Sequence, residues 1–394
     1  MIFSAVLYNA QHPEYGVATI PFPIRSKDYD ETIELLKPLE IGDATERDCR
    51  IEEILGDYPA LKQMEMTGAN LDELDYLAKR LDSFDDYEMT QFQGAVSRLR
   101  LHGVDEMINL TFCCQATTVI TDFHNLESAG RKHYLTINGG ASVDKLDEVY
   151  GKEIATDLIY STVGRVTPFG VVYDNDMQLA EVYDGQHFPE YRHSDCVMEV
   201  EIFSRDAPAD SASTYLYLPM SQTQIERAML RAGIDNYGEM CLRFTESELP
   251  EEIDAALSFE NEGLSDLNEL CQAVMGLSQA ENIKLAAAVS MAKPEYASQV
   301  RYLAENLDQF DFVPGAATPE DYGRYMIKES GHYEFDENLS EFYDFGKYGQ
   351  QRMEQEYGEF TDRGYISYHG TLSLDELMYG NESERMDFSM GGME

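Results

Sequence analysis

Cysteine and histidine side chains fall close together along one stretch of the sequence. Cys113 and Cys114 precede His124 and His133, and these are the residue types of a thiol nucleophile and its base. The cysteines lie in an apolar, strand-like run, and the acidic surroundings would raise the pKa of a thiol instead of lowering it. We therefore interpret both cysteines as buried structural residues.

A second group contains His187, His193 and Cys196. A structural zinc site needs four ligands, usually at tight spacing, and this stretch offers three at irregular spacing. The run "DNDMQ" at 174–178 lacks the glycine and the terminal glutamate of a calcium-binding loop. The sequence predicts no metal site and no cofactor.

The run "NGGAS" at 138–142 resembles a phosphate-binding loop only superficially. It lacks the lysine that follows in such loops, and Asp144 and Asp147 would repel a phosphate. Carboxylate pairs are too abundant to be informative, because the chain has 74 acidic residues. We predict that the protein is not an enzyme, and we keep a carboxylate-based hydrolase within residues 101–211 as an alternative.

Charge is the dominant property of the sequence. The 29 basic and 74 acidic residues give a net charge of −45, which repels nucleic acid and anionic membranes and attracts basic partners. The charge forms no acidic tail, so it belongs to folded sequence. Duplex DNA carries about one charge per ~1.7 Å of axis, so an excess of this size matches roughly 75 Å of duplex. The charge is compatible with imitation of DNA, and also with an acidic scaffold.

The predicted location is the cytoplasm. Six cysteines form no CxxC pair in a chain of 394 residues, as expected for reduced thiols. The N-terminal segment has no basic region before its short apolar run, so it does not resemble a signal peptide. No run of apolar residues approaches the length of a membrane span.

The first hundred residues predict a small sheet followed by helices. Residues 1–25 indicate strand, turn and strand, and Pro21 and Pro23 place the second strand at a sheet edge. Residues 26–38 predict a helix. Two further helices are predicted at 68–81, where Asn70 and Glu73 resemble a capping box, and at about 84–98.

Residues 101–211 change to short strand-like runs. These include "KHYLTING" at 132–139 and "LAEVYD" at 179–184, with one helix at about 142–163. We predict an inserted β-rich domain here, and a linker at 205–213.

The N-terminal pattern recurs after this insert. At a constant offset of 196 positions, Pro23 matches Pro219 and "NLDEL" at 70–74 matches "DLNEL" at 266–270. This register places Asp266 and Glu269 where Asn70 and Glu73 stand. We infer an internal duplication of the N-terminal and helical domains.

The C-terminal region predicts two helices and a closing strand. "EDYGRYMIKES" at 320–330 forms the first helix. "ENLSEFYDFGKYG" at 337–349 forms the second, with Phe342 and Phe345 on its buried face and Gly349 as its terminator. "GYISYHG" at 364–370 forms the strand. We expect Tyr343 and Tyr348 to remain for a partner chain.

The predicted fold class is α+β, an elongated chain of several small domains made of small antiparallel sheets with helices and of small helical bundles. The predicted domains are an N-terminal α+β domain at 1–65, a helical domain at 66–100, the insert at 101–211, a second N-terminal-like domain at 212–262, a second helical domain at 263–300, a C-terminal α+β domain at 301–380, and a disordered tail at 381–394.

The region 320–370 resembles the C-terminal part of the ArdA antirestriction family. The family's antirestriction motif is matched by an aromatic–Tyr–Asp–aromatic run with a following Tyr and Gly, here Phe342, Tyr343, Asp344, Phe345, Tyr348 and Gly349. The segments "LYNAQHPEYGVATIPFPI" and "NLDELDYLAKRL" are also similar to the family. The resemblance covers residues 5–98 and roughly 214–370.

The resemblance implies a protein of mobile elements that imitates bent duplex DNA and occupies the DNA-binding groove of a type I restriction–modification enzyme. It implies no catalytic residues, and a dimer contact at or near the motif. This chain is more than twice the family's short form, and the repeated domains leave its oligomeric state open.

We therefore predict that surface carboxylates stand in for phosphates and bind the methyltransferase core of such an enzyme. Another DNA-binding defence complex, or a nucleoid protein, is the alternative target. The candidate phosphate mimics lie on predicted helix faces: Asp72, Glu73, Asp75, Asp82, Asp85, Asp86, Glu88, Glu251, Glu252, Asp254, Glu320, Asp321 and Glu329.

Overall fold

The protein was analysed as a computed structural model, which describes residues 1–176, 178–193, 196–206, 208 and 212–380. The described chain forms two compact units. The first comprises residues 1–193, 202–215 and 221–241, and the second comprises 194–201, 216–220 and the chain from 242 onward. The predicted disordered tail at 381–394 lies outside the described residues.

The chain alternates short strands and helices, which confirms the α+β prediction. Its first half contains these elements: β1 (Phe3–Asn9), β2 (Val17–Phe22), α1 (Tyr29–Leu36), β3 (Cys49–Leu55), β4 (Gly68–Ala69), α2 (Leu71–Asp82), α3 (Asp86–Leu99), α4 (Val104–Leu110), β5 (Thr117–Ile120), α5 (Leu126–Asn138), α6 (Val143–Asp147), α7 (Gly151–Ser161), β6 (Arg165–Thr167) and β7 (Gly170–Asp174).

The second half contains these elements: β8 (Met198–Ser204), β9 (Thr214–Leu218), α8 (Gln222–Arg231), β10 (Met240–Ser247), α9 (Glu251–Ala256), α10 (Leu264–Met275), α11 (Gln279–Ala292), α12 (Ala297–Glu305), β11 (Phe310–Pro314), α13 (Pro319–Lys328), α14 (Phe345–Glu356), β12 (Glu359–Thr361), β13 (Gly364–Tyr368) and α15 (Leu374–Tyr379).

The N-terminal sheet follows from alternating apolar residues. Side chains of β1 alternate between buried and half-buried positions, as expected for a strand with one face on a core. The strand order is β2–β1–β3–β4, so β2 lies at an edge, where Pro21 interrupts no interior ladder, and Pro23 follows the strand. A capping box at Asn70 and Glu73 starts α2, as the sequence predicts.

The region 101–174 is not mainly β-sheet. Of the run at 132–139 that was predicted as a strand, residues 132–138 belong to α5, and residues 179–184 form no strand. The period-2 pattern was misleading, because Leu135 and Ile137 are not buried in a sheet but lie on a helix whose most buried residue is Gly130. The strands that do form here are β5, β7 and β6, in that order in one sheet.

The same series of elements occurs twice along the chain. Sheet order β2–β1–β3 is matched by β9–β8–β10, and sheet order β5–β7–β6 is matched by β11–β13–β12. Helices α2 and α10 both have 12 residues, and α3 and α11 both have 14. Residues up to 174 are called copy 1 below, and residues from 197 to 368 are called copy 2.

A constant offset of 196 positions is wrong for most of the chain. Phe22 and Leu218 end β2 and β9 at that offset, whereas Leu71 and Leu264, the first residues of α2 and α10, are 193 apart. The N-cap of α10 is Gly263, and Asp266 occupies the third helical position that Glu73 occupies in α2. The predicted equivalence of Asp266 with Asn70 is therefore wrong.

The predicted insert also has a counterpart, namely the C-terminal domain. Thr167 and Thr361 each donate from Oγ1 to a glycine carbonyl three residues later, Gly170 or Gly364, at 2.9 Å in both copies. In both copies the same hydroxyl accepts a backbone N–H at 3.2 Å. An identical side-chain turn in the same place of two sheets with the same strand order indicates a duplicated domain.

Close helix crossings repeat in the same domains. A Cβ on Gly130 would lie 1.7 Å from the carbonyl oxygen of Gly151, and a Cβ on Gly323 would lie 2.0 Å from that of Phe345. Only glycine permits such an approach. The prediction that the C-terminal domain occurs once, beside an unrelated insert, is thus not what the structure shows.

Candidate functional site

Asp72 is enclosed by cationic side chains. Its carboxylate Oδ2 lies 3.0 Å from Arg227 Nη2 and 2.8 Å from Arg231 Nη2, and the Tyr29 hydroxyl donates to Oδ1. Both arginines come from α8, one turn apart, and their side chains are 9% and 5% exposed. Burial alone would raise the pKa of Asp72, but the two guanidinium groups hold that pKa below its usual value.

The arginines are themselves fully engaged. Arg227 donates to the carbonyl oxygens of Gly42 at 2.6 Å and Asp43 at 3.0 Å. Arg231 donates to Asn70 Oδ1 at 2.5 Å, and its guanidinium lies 4.7 Å from the ring centroid of Phe188. We call this set of contacts the Asp72 cluster. It joins α8 to α2 within the first compact unit.

Glu73 and Asp75 also face inward. Glu73 is 1% exposed, and it accepts hydrogen bonds from Arg47 and from the Tyr183 hydroxyl at 2.9 Å. Asp75 accepts from the backbone N–H of Ile24 and pairs with Lys79 at 2.9 Å. The prediction that Asp72, Glu73 and Asp75 present free carboxylates is wrong. These carboxylates, near the start of α2, face internal cations and backbone N–H donors.

The remaining candidates are more accessible. Eight of them are exposed in the structure: Asp82, Asp85, Asp86, Glu88, Glu251, Glu320, Asp321 and Glu329. Asp85 and Glu88 form the capping box of α3, so their carboxylates serve the helix start while facing solvent. Two candidates are half-buried: Glu252 pairs with Arg363 at 2.6 Å, and burial raises the pKa of Asp254.

The aromatic motif is not one continuous helix. A 3-10 helix covers residues Glu337–Phe342, and α14 begins only at Phe345, with the Asp344 side chain accepting from the Lys347 N–H. Asp344 therefore breaks the predicted helix by capping a new one. Gly349 does not end a helix. It lies inside α14, where a Cβ would be 1.8 Å from the carbonyl oxygen of Pro319.

The division of the motif side chains into buried and exposed ones differs from the prediction. Phe345 is 4% exposed, as predicted, whereas Phe342 is 84% exposed and does not belong to the core. Tyr343 is 37% exposed and packs on the Phe345 ring at 5.0 Å. Tyr348 is half-buried, and burial together with the Tyr333 hydroxyl raises its pKa to about 12.

Copy 1 lacks this aromatic run. Gly170 and Gly364 fix an offset of 194 in this domain, and at that offset Phe342 and Tyr343 fall on Glu148 and Val149. The close helix crossing at Gly130 remains. Copy 1 thus keeps the close crossing but lacks both the exposed ring of Phe342 and the buried ring of Phe345, which falls on Gly151.

The cysteine and histidine groups show no catalytic arrangement. Burial raises the pKa of the Cys113 and Cys114 thiols, which is unfavourable for a thiolate nucleophile. His133 Nδ1 is hydrogen-bonded to Thr118 Oγ1, and His124 is fully exposed beside Asp122. Among the residues that the structure describes, no group of three or more His, Cys, Asp or Glu side chains could hold a metal ion.

Residues 138–142 connect two helices. Gly139 ends α5 in a left-handed conformation, and Ser142 precedes α6, so this run is a turn. The run at 174–178 includes one residue outside those described. Over the described part of the chain, no helix combines the length and apolar character needed to cross a membrane.

Sequence reasoning missed the cations that enclose Asp72. Arg227 lies 155 positions away from it, and nothing local in either segment connects them. One sequence signal pointed to these cations. Arg227 and Arg231 stand four residues apart on an amphipathic helix, at positions that are buried in the structure.

Comparison with known proteins gives one family. A model of the family described as antirestriction protein (ArdA) matches residues 211–367. A search of curated proteins finds no match to the chain. The matched segment contains most of copy 2, including the aromatic run and the sheet β11–β13–β12. Residues 211–367, called the antirestriction region below, are therefore similar to the ArdA family.

Proposed function

We propose that this protein is an antirestriction DNA mimic. Its exposed carboxylates take the place of DNA phosphates in the DNA-binding groove of a type I restriction–modification enzyme, on the methyltransferase core. It needs no catalytic residue, cofactor or metal for this function. It binds no nucleic acid itself, and it acts in the cytoplasm, where such an enzyme meets incoming DNA.

The observation that carries the proposal is the antirestriction region within a chain of this charge. The 74 acidic side chains exceed the 29 basic ones by 45, so the chain carries a large uncompensated negative charge. Several cations are also turned inward, as Arg227 and Arg231 are. The remaining carboxylates create a negative potential that attracts a basic groove.

The eight exposed candidate carboxylates support the same proposal. Asp82, Asp85, Asp86 and Glu88 surround the turn between α2 and α3 in copy 1. Glu320, Asp321 and Glu329 lie on or directly after α13 in copy 2, and Glu251 begins α9. The acidic positions thus fall at different helices in the two copies, which supplies carboxylates along both halves of the chain.

Binding through many exposed charges has a characteristic signature. Each exposed ion pair contributes only about 0.2–1 kcal/mol, so single substitutions should have small effects. Salt should weaken binding strongly, since the Debye length is about 8 Å at physiological ionic strength.

The test is a set of four neutralising substitutions made together: Asp82→Asn, Asp86→Asn, Glu320→Gln and Glu329→Gln. The loss expected for four exposed pairs is about 1–4 kcal/mol, or roughly 5- to 1000-fold in the concentration needed to block DNA cleavage by a purified type I enzyme.

The matched control replaces four exposed, uncharged helix residues, Gln272, Gln279, Gln351 and Gln355, by alanine. We expect the control to inhibit as the unchanged chain does. Equal inhibition by the acidic variant and the control would refute the proposed role of the carboxylates. Inhibition of a different DNA-binding defence or nucleoid protein, with none of the type I enzyme, would favour the alternative target.

Pairing of two chains through the aromatic motif is the second expectation from the family resemblance. The chain already contains two copies of each domain, so one chain could supply the length of a pair.

A further inference from the structure

We propose that a groove between α10 and α12 of copy 2 is the docking site for residues 381–394 of the same chain, which follow the last described residue. The sequence alone predicts this segment to be disordered, so the proposal assigns it a place that its composition does not show. Six residues line the groove, which is called the open groove below: Glu269, Gln272, Ala273, Arg301, Ala304 and Glu305. The inference goes beyond the proposed function and does not depend on it.

The counterpart of the open groove in copy 1 is covered by the chain itself. Helices α2 and α10 start 193 positions apart, and so do α4 and α12. Residues 180–191, called the strap below, contact the copy 1 groove without forming a helix or strand. At the offset of 193, the six lining residues correspond in order to Tyr76, Lys79, Arg80, Ile108, Thr111 and Phe112.

The strap places aromatic side chains on the copy 1 groove. Phe188 stacks on the ring of Tyr76, with ring centroids 4.8 Å apart. The ring centroid of Tyr191 lies 4.3 Å from the guanidinium carbon of Arg80, and the Tyr191 hydroxyl donates to the carbonyl oxygen of Lys79 at 3.2 Å. A groove of this construction therefore accepts an extended segment that carries aromatic residues.

Copy 2 has space where copy 1 has larger side chains. Ala273 and Ala304 stand at the positions of Arg80 and Thr111. Within the described part of the chain the groove is open, with a volume of about 320 Å³. A cavity of about 150 Å³ already holds a benzene ring. One aromatic side chain therefore fits into the open groove.

The chain approaches the open groove as the strap approaches its own. In copy 1, Asn109 of α4 accepts from the backbone N–H of Tyr183 at 2.8 Å. Tyr302 takes the place of Asn109 on α12, and α15 packs on that helix. A Cβ on Gly380 would lie 2.6 Å from the Tyr302 hydroxyl. At the offset of 194 fixed by β7 and β13, Tyr183 corresponds to Leu377, and both are buried. The chain therefore leaves α15 beside α12, at the position where the strap passes α4.

The segment beyond Gly380 contains a suitable side chain within reach. Phe388 is its one aromatic residue, and a methionine stands two positions away on each side. Phe388 follows Gly380 by eight residues, as Tyr191 follows Tyr183 in the strap. Eight extended residues span at most about 26 Å, whereas the axes of packed helices lie only about 8–10 Å apart. Phe388 can therefore reach α10 from the end of α15.

Burial of an aromatic ring, and not charge, favours this docking. Arg301 lies between Glu269 and Glu305, at 3.5 and 3.3 Å, so two carboxylates and one guanidinium give the open groove a net charge of −1. Residues 381–394 contain four acidic residues and one arginine. The two surfaces therefore repel each other overall, and the gain comes from removing the phenylalanine ring from water. Because salt screens the repulsion, docking should become stronger as salt is added.

The experiment uses the absence of tryptophan from the sequence. Phe388→Trp in the full chain introduces a single fluorescent reporter in the segment. Tyr160→Trp is the matched exposed reference, because Tyr160 is 86% exposed. The emission maximum and quenching by acrylamide measure the burial of each indole, at several protein concentrations and at low and high salt. Thermal melting checks that each variant is folded.

We expect the indole of Phe388→Trp to emit at shorter wavelength than that of Tyr160→Trp and to be quenched less, equally at all protein concentrations and more clearly at high salt. Adding Ala273→Glu, which fills the open groove, should bring emission and quenching to the values of the reference. Adding Ala280→Glu, at an exposed position of α11 outside the groove, should change neither.

Equal emission and quenching of the two tryptophan variants would overturn the inference. Burial that Ala273→Glu leaves unchanged would also overturn it, since the segment would then lie elsewhere, and so would burial that increases with protein concentration, since a second chain would then supply the site.

Hydrogen exchange gives a test without any change in the groove. Phe388→Ser in the full chain should speed the exchange of amides at residues 269–276, which the docked segment covers. Unchanged exchange there would contradict the docking. Inhibition of a type I enzyme is not measured in either test, so failure of this inference and failure of the proposed function are distinguishable.

Discussion

Replacement of Asp72 by asparagine tests whether the Asp72 cluster holds α8 against α2. Asparagine keeps the size of the side chain but removes the charge that faces Arg227 and Arg231, which are 9% and 5% exposed. Breaking a buried ion pair by removing one partner costs about 3–5 kcal/mol, because the remaining charge stays buried and unpaired. We expect Asp72→Asn to lower the free energy of unfolding of the first unit by that amount.

Asp82→Asn is the matched control, because Asp82 ends the same helix and is exposed. Its expected effect lies within about 0.5 kcal/mol. Urea unfolding followed by circular dichroism measures both variants, and hydrogen exchange at residues 222–231 reports on α8 directly. In Asp72→Asn, but not in Asp82→Asn, we expect faster exchange of α8 amides.

The pH dependence of the free energy of unfolding provides a further check on Asp72→Asn. The pKa of Asp72 is lowered in the folded chain, so its contribution is complete above the pKa of the unfolded carboxyl, about 3.9. That contribution is lost as the pH falls through the folded-state pKa. The stability difference between the unchanged chain and Asp72→Asn should therefore be constant from pH 7 to about 5 and shrink below about 4. A variant as stable as Asp82→Asn, with unchanged exchange in α8, would refute this account of the cluster.

Two further predictions concern the C-terminal domain. Phe345→Ala should destabilise the second unit by about 3–5 kcal/mol, because Phe345 is 4% exposed; melting of that variant at the temperature of the unchanged chain would contradict its place in the core. Gly323→Ala should also lower the melting temperature, since its Cβ would lie 2.0 Å from a backbone oxygen. Gly276→Ala is the control, because the nearest atom to its Cβ is 3.9 Å away, and equal melting of the two alanine variants would argue against the close crossing.

Local signals in the sequence were read correctly. The capping box at Asn70 and Glu73, the edge strand with its prolines, and the closing strand at 364–368 depend on residues within a few positions of each other. Such short-range chemistry specifies an element wherever it is folded. The α+β class followed from these elements together.

Features that depend on distant residues were not predictable in the same way. The carboxylates of α2 looked like an exposed acidic face, and only the fold brings Arg227 to Asp72 and Tyr183 to Glu73. The prediction for the aromatic motif was wrong for a local reason instead. Asp344 can continue a helix or cap a new one, and the structure uses it as a cap, which turns Phe342 outward.

The second duplication was hidden because few identical residues mark it. Glu127, Gly130 and Arg131 of α5 recur as Glu320, Gly323 and Arg324 of α13, and the two Arg–Glu pairs form at 2.9 and 2.6 Å. Small sheets and crossed helices can be built from many apolar sequences, so the repeat becomes clear only from the order of the elements.

Binding in the DNA-binding groove requires that DNA and this protein exclude each other from the methyltransferase core. A purified type I methyltransferase core is saturated with fluorescently labelled cognate DNA, and the full chain is added at low salt while anisotropy is recorded. We expect anisotropy to fall to the value of free DNA, and we expect that the chain and DNA never occupy the same core. Added salt should raise the concentration of chain required. A stable complex containing core, DNA and chain together would contradict the claim that its carboxylates occupy the DNA-binding groove.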